Sequence, residues 1–223
     1  MKKVIIKALV GSRAHLLNDE DSDYDYRAVY VIPTSEILSL SYKYNGTHWI
    51  EGKEDNTSYE IGHFLHLATK CNPSILEVLA NDNTVETTVW GDRLKDLFCD
   101  MWNKEDAFNA FTGYSHNQRK KMLTNKDNRM CKYATAYIRT LLNLCFLYQN
   151  GYINLQVNDK SHRDMLLEIR AEKWTMGKIL DWATQLTEEA KWLRDKCTQE
   201  ANMRRVNRFL LDIRKEFWND NNF

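Results

Sequence analysis

The hydrophobic pattern changes character part-way along the chain. Residues 3–10 (KVIIKALV) form a nearly continuous apolar run ending at Gly11-Ser12, which reads as a buried strand. A polar loop at 18–22 follows. A second apolar run at 28–32 reads as another strand, opened by Asp23-Tyr24-Asp25 and closed by Pro33. Thr34 or Ser35 caps a short helix to Leu40. Segment 42–51 is ambiguous, with Asn45-Gly46 as a turn signal, and 48–51 and 55–60 read as short strands. Ile61, Phe64, Leu65 and Ala68 recur at helical spacing and predict a helix near 61–70. Asn72-Pro73 breaks it and opens another. Residues 85–89 read as extended and 92–102 as helical. From 104 onward the period is helical almost throughout, with candidates near 105–124, 128–149, 160–172, 176–198 and 201–217. Asn150-Gly151 stops the second of these, and 152–157 reads as a short extended link. The pattern thus predicts an α+β chain: a small mixed sheet with flanking helices in 1–103, then a helical bundle in 104–223. Trp174, Trp182, Trp192 and Trp218 fall in those helices and are expected to pack between them.

The chemistry concentrates where the first strand meets the second. With Asp23 and Asp25 at the opening of a strand, their spacing of two would aim both carboxylates at one spot, beside the Gly11-Ser12 turn. Two converging carboxylates repel unless a cation lies between them, and a Gly-Ser turn leaves backbone N–H groups for an anion. A divalent metal with a nucleotide phosphate satisfies both. Arg13 is placed to add a charge-assisted contact to phosphate, or to pair with Asp19 or Asp21. Arg27 is expected to face away from the aspartates and brace the strand against a buried acid. Lys132 and Arg139, seven apart, share a helix face and can meet phosphate or solvent. Asn72 and Glu77 are expected to shape a helix corner rather than react. Glu60, between extended residues and a helix, reads equally as a strand-end metal ligand and as a helix N-terminal acid.

The spacing G-S-x(10)-D-x-D resembles the signature of the nucleotidyltransferase superfamily typified by DNA polymerase beta. The longer string GSRAHLLNDEDSDYDYRAVYVIP is similar to its RlaP-type branch, associated with RNA ligases. So are Asn72-Pro73-Ser74-Ile75-Leu76-Glu77 and the stretch 132–142, KYATAYIRTLL. Two positions depart: Leu16 stands where the branch has a second glycine, and Ala136 where it often has histidine. The resemblance implies a nucleotidyltransferase-type sheet and an enzyme moving a nucleoside monophosphate from a triphosphate such as ATP to an acceptor hydroxyl. Pyrophosphate is the leaving group, and two Mg2+ ions, or Mn2+ in their place, are required. Asp23 and Asp25 would hold metal, and Gly11, Ser12, Arg13, Lys132 and Arg139 would bind the nucleotide. The resemblance also tips Glu60 toward third ligand, with Glu51 and Asp55 as alternatives. The acceptor would be an RNA end, a protein side chain or a small-molecule hydroxyl. A catalytically silent nucleotide- or partner-binding module of the same fold is the competing function.

Composition adds boundaries. The 223 residues carry 31 basic and 31 acidic side chains, so net charge is zero. The halves differ: residues 1–103 hold 10 basic and 16 acidic side chains, and 104–223 hold 21 and 15. An acidic half with candidate metal ligands beside a basic half suits cation-dependent chemistry on a polyanion. The apolar runs fall short of the ~20 residues of a membrane span. Met1-Lys2-Lys3 opens a strand rather than a signal peptide. Five scattered cysteines without a C-x-x-C are expected to be reduced thiols of a cytoplasmic protein.

Overall fold

Both halves of the pattern take shape in a computed structural model, which describes residues 2–20, 22–42, 47–50, 56–157 and 159–219. The Asn45-Gly46 turn signal, Asp21, Glu51 and Asp55 lie outside the described residues. The first half runs β1 (Lys3–Val10), α1 (Gly11–Ala14), β2 (Asp25–Val31), α2 (Thr34–Ile37), β3 (Thr47–Ile50), β4 (Asn56–Glu60), α3 (Ile61–Thr69) and α4 (Pro73–Leu79). It continues through β5 (Thr84–Thr87), α5 (Val89–Lys95) and α6 (Phe98–Met101). The second half is α7 (Lys104–Leu123), α8 (Met130–Asn150), α9 (Lys160–Arg170), α10 (Met176–Lys196) and α11 (Met203–Glu216). The fold is α+β, as the pattern predicts.

The described strands form one mixed sheet in the order β3-β4-β2-β1-β5. β2 and β4 are parallel and the other pairs antiparallel. β1 would bury alternate residues, yet Ile5 and Ile6 are both inside. The register shift between Val4 and Ile6 explains this, because a bulge resets which face each side chain takes. On β2, Val29 and Val31 point into the core under α3 and α4. By strand alternation Arg27 and Asp25 lie on that same face, nearer the strand's start. The apolar face of the sheet therefore grades into two charged residues beside the end of β1, where Val10 pairs with Asp25.

Side-chain caps mark several helix starts, though not that of α2, whose N-cap is Pro33. Asn72 accepts from the Ser74 N–H and Pro73 takes the first helical position of α4. Gly151, at φ +80°, ends α8 in the left-handed conformation that glycine adopts without strain. α8 is the central helix, packed against α7, α9 and α10. α11 returns to the sheet half: the Thr34 hydroxyl donates to the Arg214 carbonyl (2.7 Å), the Thr34 N–H to the Phe217 carbonyl (2.8 Å), and Trp90 packs on Phe209 and Phe217. One buried apolar cluster runs through both halves. Trp174 lies inside it and Trp182 packs against it, their ring centroids 5.3 Å apart. Trp192 and Trp218 depart from expectation and are more than half exposed. Lys196 Nζ stands 3.4 Å from the centre of the Trp192 ring, so that tryptophan is a surface cation–π partner. All five cysteines are free thiols, and burial pushes Cys71 up to about 11 and Cys145 to about 12. Among the described residues no helix is long and apolar enough to cross a membrane.

Glu60 requires a correction. It closes β4 opposite Tyr30, whereas Asp25 opens β2, so five ladder steps of roughly 3.3 Å separate them along the sheet. Its carboxylate caps α3, accepting from the Gly62 N–H at 2.7 Å, and pairs with Arg214 at 2.7 Å. At 1% exposure it is committed to joining α11 to the sheet and is not beside Asp25. Glu60→Gln is expected to cost about 3 kcal/mol of stability, because the Arg214 charge loses its partner in a buried place. A denaturation curve measures this. If the variant were as stable as wild type yet inactive, Glu60 would belong to the reacting centre after all.

Candidate functional site

Gly11 carries the geometry of the site. Its φ of +72° lies in the left-handed region, and a Cβ there would overlap the Asp25 carboxylate. Glycine is thus needed twice, for the turn and for the room it leaves Asp25. Asp25 is partly buried on the helix-covered face of β2. Asp23 is exposed and lies in the extended segment before the strand, so strand alternation does not set its direction.

Arg13 positions that segment. Its Nε and Nη2 donate to the Ser22 carbonyl at 2.9 and 2.7 Å, and its guanidinium stacks 4.0 Å from the centre of the Tyr24 ring. It grips the chain on both sides of Asp23, and it does not line the adjoining cavity, contrary to the expected phosphate contact. Asp19 is taken instead by Arg170 at 2.7 Å. Leu16 adopts φ +57°, a conformation that costs a non-glycine residue about 1 kcal/mol, at the position where the resemblance has glycine.

A cavity of about 420 Å³ opens beside Gly11 and Ser12. Arg27, Lys121, Lys132, Arg139 and Arg170 line it, with Glu77 as its carboxylate. Its walls come from both halves: α1, β2 and α4 on one side, α7, α8 and α9 on the other. Lys132 and Arg139 do share the cavity but differ in state. Lys132 is exposed at its edge, while Arg139 is buried and donates to Glu77 at 2.5 Å. Arg27 is corrected in direction. Two residues from Asp25, it shares its face, lines the cavity and donates to the Ser74 carbonyl at 2.9 Å. Sequence reasoning undervalued Glu77 and missed Arg170, while the polar helix segment 114–120, read as the border of an acceptor groove, brings Tyr114 and Gln118 to the cavity. Gln118 is buried, lines the cavity, and makes no side-chain hydrogen bond among the described residues. A buried amide without a partner marks a surface built to meet something polar.

His15 closes the floor. The Leu155 carbonyl can only accept, so His15 Nδ1 carries the proton across their 2.9 Å hydrogen bond. Burial, reinforced by the Arg139 charge, pulls the imidazole down to about 4. Burial alone would raise Glu77, but the Arg139 cation, aided by Arg27, outweighs that and holds it at about 2. His15 is therefore neutral at pH 7. Its folded value lies below the ordinary 6.5, so the folded state binds fewer protons than the unfolded chain between those values. Stability from this group is complete above pH 6.5 and is lost as pH falls toward 4, a span worth about 3 kcal/mol. Melting temperature is expected to fall over that window. His15→Asn, which can still donate to Leu155, flattens the fall. An unchanged slope in the variant would assign it to other groups.

Two comparisons with known proteins bear on the chain's family. A family model described as "RlaP: RNA repair pathway DNA polymerase beta family" matches residues 2–212. The chain belongs to the RlaP family. The match runs from β1 into α11, so both walls of the cavity lie within it. The chain is also 24% identical, over 98% of its length and 92% of the relative's, to the uncharacterized protein YcgL of Bacillus subtilis (strain 168). RlaP membership places the fold with the polymerase beta type of nucleotidyltransferase.

Proposed function

We propose that the chain is a metal-dependent nucleotidyltransferase that moves a nucleoside monophosphate from a triphosphate to an acceptor hydroxyl. The observation that carries this is the Asp25 carboxylate set against the side-chain-free Gly11, next to a cation-lined cavity that starts at Gly11 and Ser12. The triphosphate would lie along that cavity. The Gly11-Ser12 turn offers backbone donors, and Lys132 and Lys121 balance the phosphate charge, while Arg170 is shared with Asp19. Arg139 is already half-neutralised by Glu77 and acts as a fixed wall rather than a free phosphate ligand.

Asp23 and Asp25 would hold the metal. Among the described residues no cluster of three metal-binding side chains occurs. Two hard carboxylates nonetheless fit Mg2+, which keeps waters and takes its remaining ligands from substrate phosphates. Mg2+, as two ions or with Mn2+ in place, supplies charge neutralisation and a lowered pKa for the attacking hydroxyl. In the reaction the acceptor oxygen bonds the α-phosphorus, the bond to the β-phosphate oxygen breaks, and pyrophosphate departs with the acceptor proton released. Arg13 keeps Asp23 in place by holding Ser22 and Tyr24.

The family's description supports an RNA end as the acceptor, and the five free thiols suit a reducing, cytoplasmic setting. Residues 1–103 would be the catalytic unit, and the helices of 104–223 would close over the nucleotide. Ala136 supports a second reading, a nucleotide-binding module without turnover. It presents only a methyl to the cavity at the position where the resemblance implies histidine. The test is incubation with each of the four α-phosphate-labelled triphosphates, Mg2+ or EDTA, and an RNA oligonucleotide with a free 3′ hydroxyl. Label on RNA and Mg2+-dependent pyrophosphate release are expected. Nucleotide binding with no pyrophosphate release under any acceptor selects the silent module.

A further inference from the structure

A second cavity, of about 990 Å³, lies between α6, the C-terminal half of α8, α10 and residues 152–157. It is more than twice the volume of the nucleotide cavity and opposite in charge. We propose that it binds an amine-bearing organic cation of the polyamine type. Asp82, Asp96, Asp159 and Glu189 line it. The cation facing them, Lys95, spends its ammonium on the Asn81 carbonyl (2.7 Å) and the Thr84 hydroxyl (3.4 Å). His162, also on the lining, lies 3.8 Å from Asp159. Such a lining repels phosphates and attracts ammonium groups.

Aromatic rings supply the other half of amine recognition. Phe98, Phe146, Tyr152 and Trp182 border the space, with Phe146 and Tyr152 edge to face at 5.3 Å. An ammonium over such a face is attracted by the ring quadrupole, and the methylenes between amines pack on the same rings.

The observation independent of charge is Asn143. It is 4% exposed, lies on the cavity wall, and makes no side-chain hydrogen bond among the described residues. An amide open to a cavity offers a carbonyl that can accept a hydrogen bond from what enters, and an alkylammonium donates up to three. The occupant is thus defined by three matches: ammonium to carboxylates, methylene to rings, and N–H to the Asn143 amide. The proposal stands apart from the nucleotidyltransferase reading, although the cavities share a wall through the His15–Leu155 hydrogen bond.

Titration calorimetry with spermidine at 150 mM salt tests it, on the full chain. Two variants accompany wild type: Asp96→Asn with Glu189→Gln, which removes charge from exposed positions and spares the fold, and Asn143→Leu, checked by its melting curve. Saturable spermidine binding is expected, weakened about tenfold by the double variant, since losing two carboxylate contacts is worth about one decade. Adenosine and ATP are expected not to compete. Absence of saturable binding overturns the proposal, as does binding that the charge variant leaves unchanged. Displacement by adenosine would overturn the amine assignment and make the pocket a nucleoside site.

Discussion

Asp25→Asn is expected to reduce pyrophosphate release by roughly 10²–10³-fold while leaving the melting temperature within a few degrees of wild type. The amide keeps the shape that fits over Gly11 and removes the charge that would face a metal, so the loss falls on turnover rather than on folding. Gly11→Ala attacks the same contact from the other side. The added methyl overlaps the Asp25 carboxylate, and the backbone at φ +72° adds about 1–2 kcal/mol of strain. Activity and stability are expected to fall together in that variant. Steady-state pyrophosphate release and thermal melts of both proteins decide the matter. If Asp25→Asn turned over at the wild-type rate, the carboxylate would have no part in the chemistry.

The largest stability effect is expected at Glu77 and Arg139. Both side chains are about nine-tenths buried or more and 2.5 Å apart, so removing either leaves a desolvated charge without its counter-ion. Glu77→Ala is expected to cost about 3–5 kcal/mol, or roughly 10 °C in melting temperature for a chain of this size. Glu77→Leu combined with Arg139→Met removes both charges and is expected to be far less destabilised than the sum of the single changes. The pair also shapes the cavity, because Arg27 and His15 both feel the Glu77 charge. Urea denaturation of the two single variants and the double variant reads this out. Strict additivity would mean that the pair contributes only packing.

These two predictions rest on differently legible parts of the chain. The Gly11–Asp25 contact could be anticipated from a string, since glycine at the end of an apolar run and an aspartate at the head of the next strand are local signals. Glu77 and Arg139 are 62 positions apart, and nothing in the local pattern of either says that they meet. Glu60 shows the same limit in reverse. Its local context allowed a strand-end ligand or a helix cap, and Arg214, 154 positions later, committed it to the cap by arriving on α11. Arg13 was legible as a cation near the motif, but the Ser22 carbonyl and the Tyr24 ring that occupy it became visible only when the loop closed.

By itself the sequence read α1 as a turn and α5 with α6 as one helix. It did determine most strands and the long helices with their order, the α+β class, the glycine at the end of β1 and the motif that ties the chain to its family. Those features depend on hydrophobic period and on backbone preference, which act over a few residues. The tertiary structure alone decided which charges are spent on one another and which are left facing a cavity. Burial and ion pairing depend on distance in space, and the helices of the second half set those distances when they fold back over the sheet.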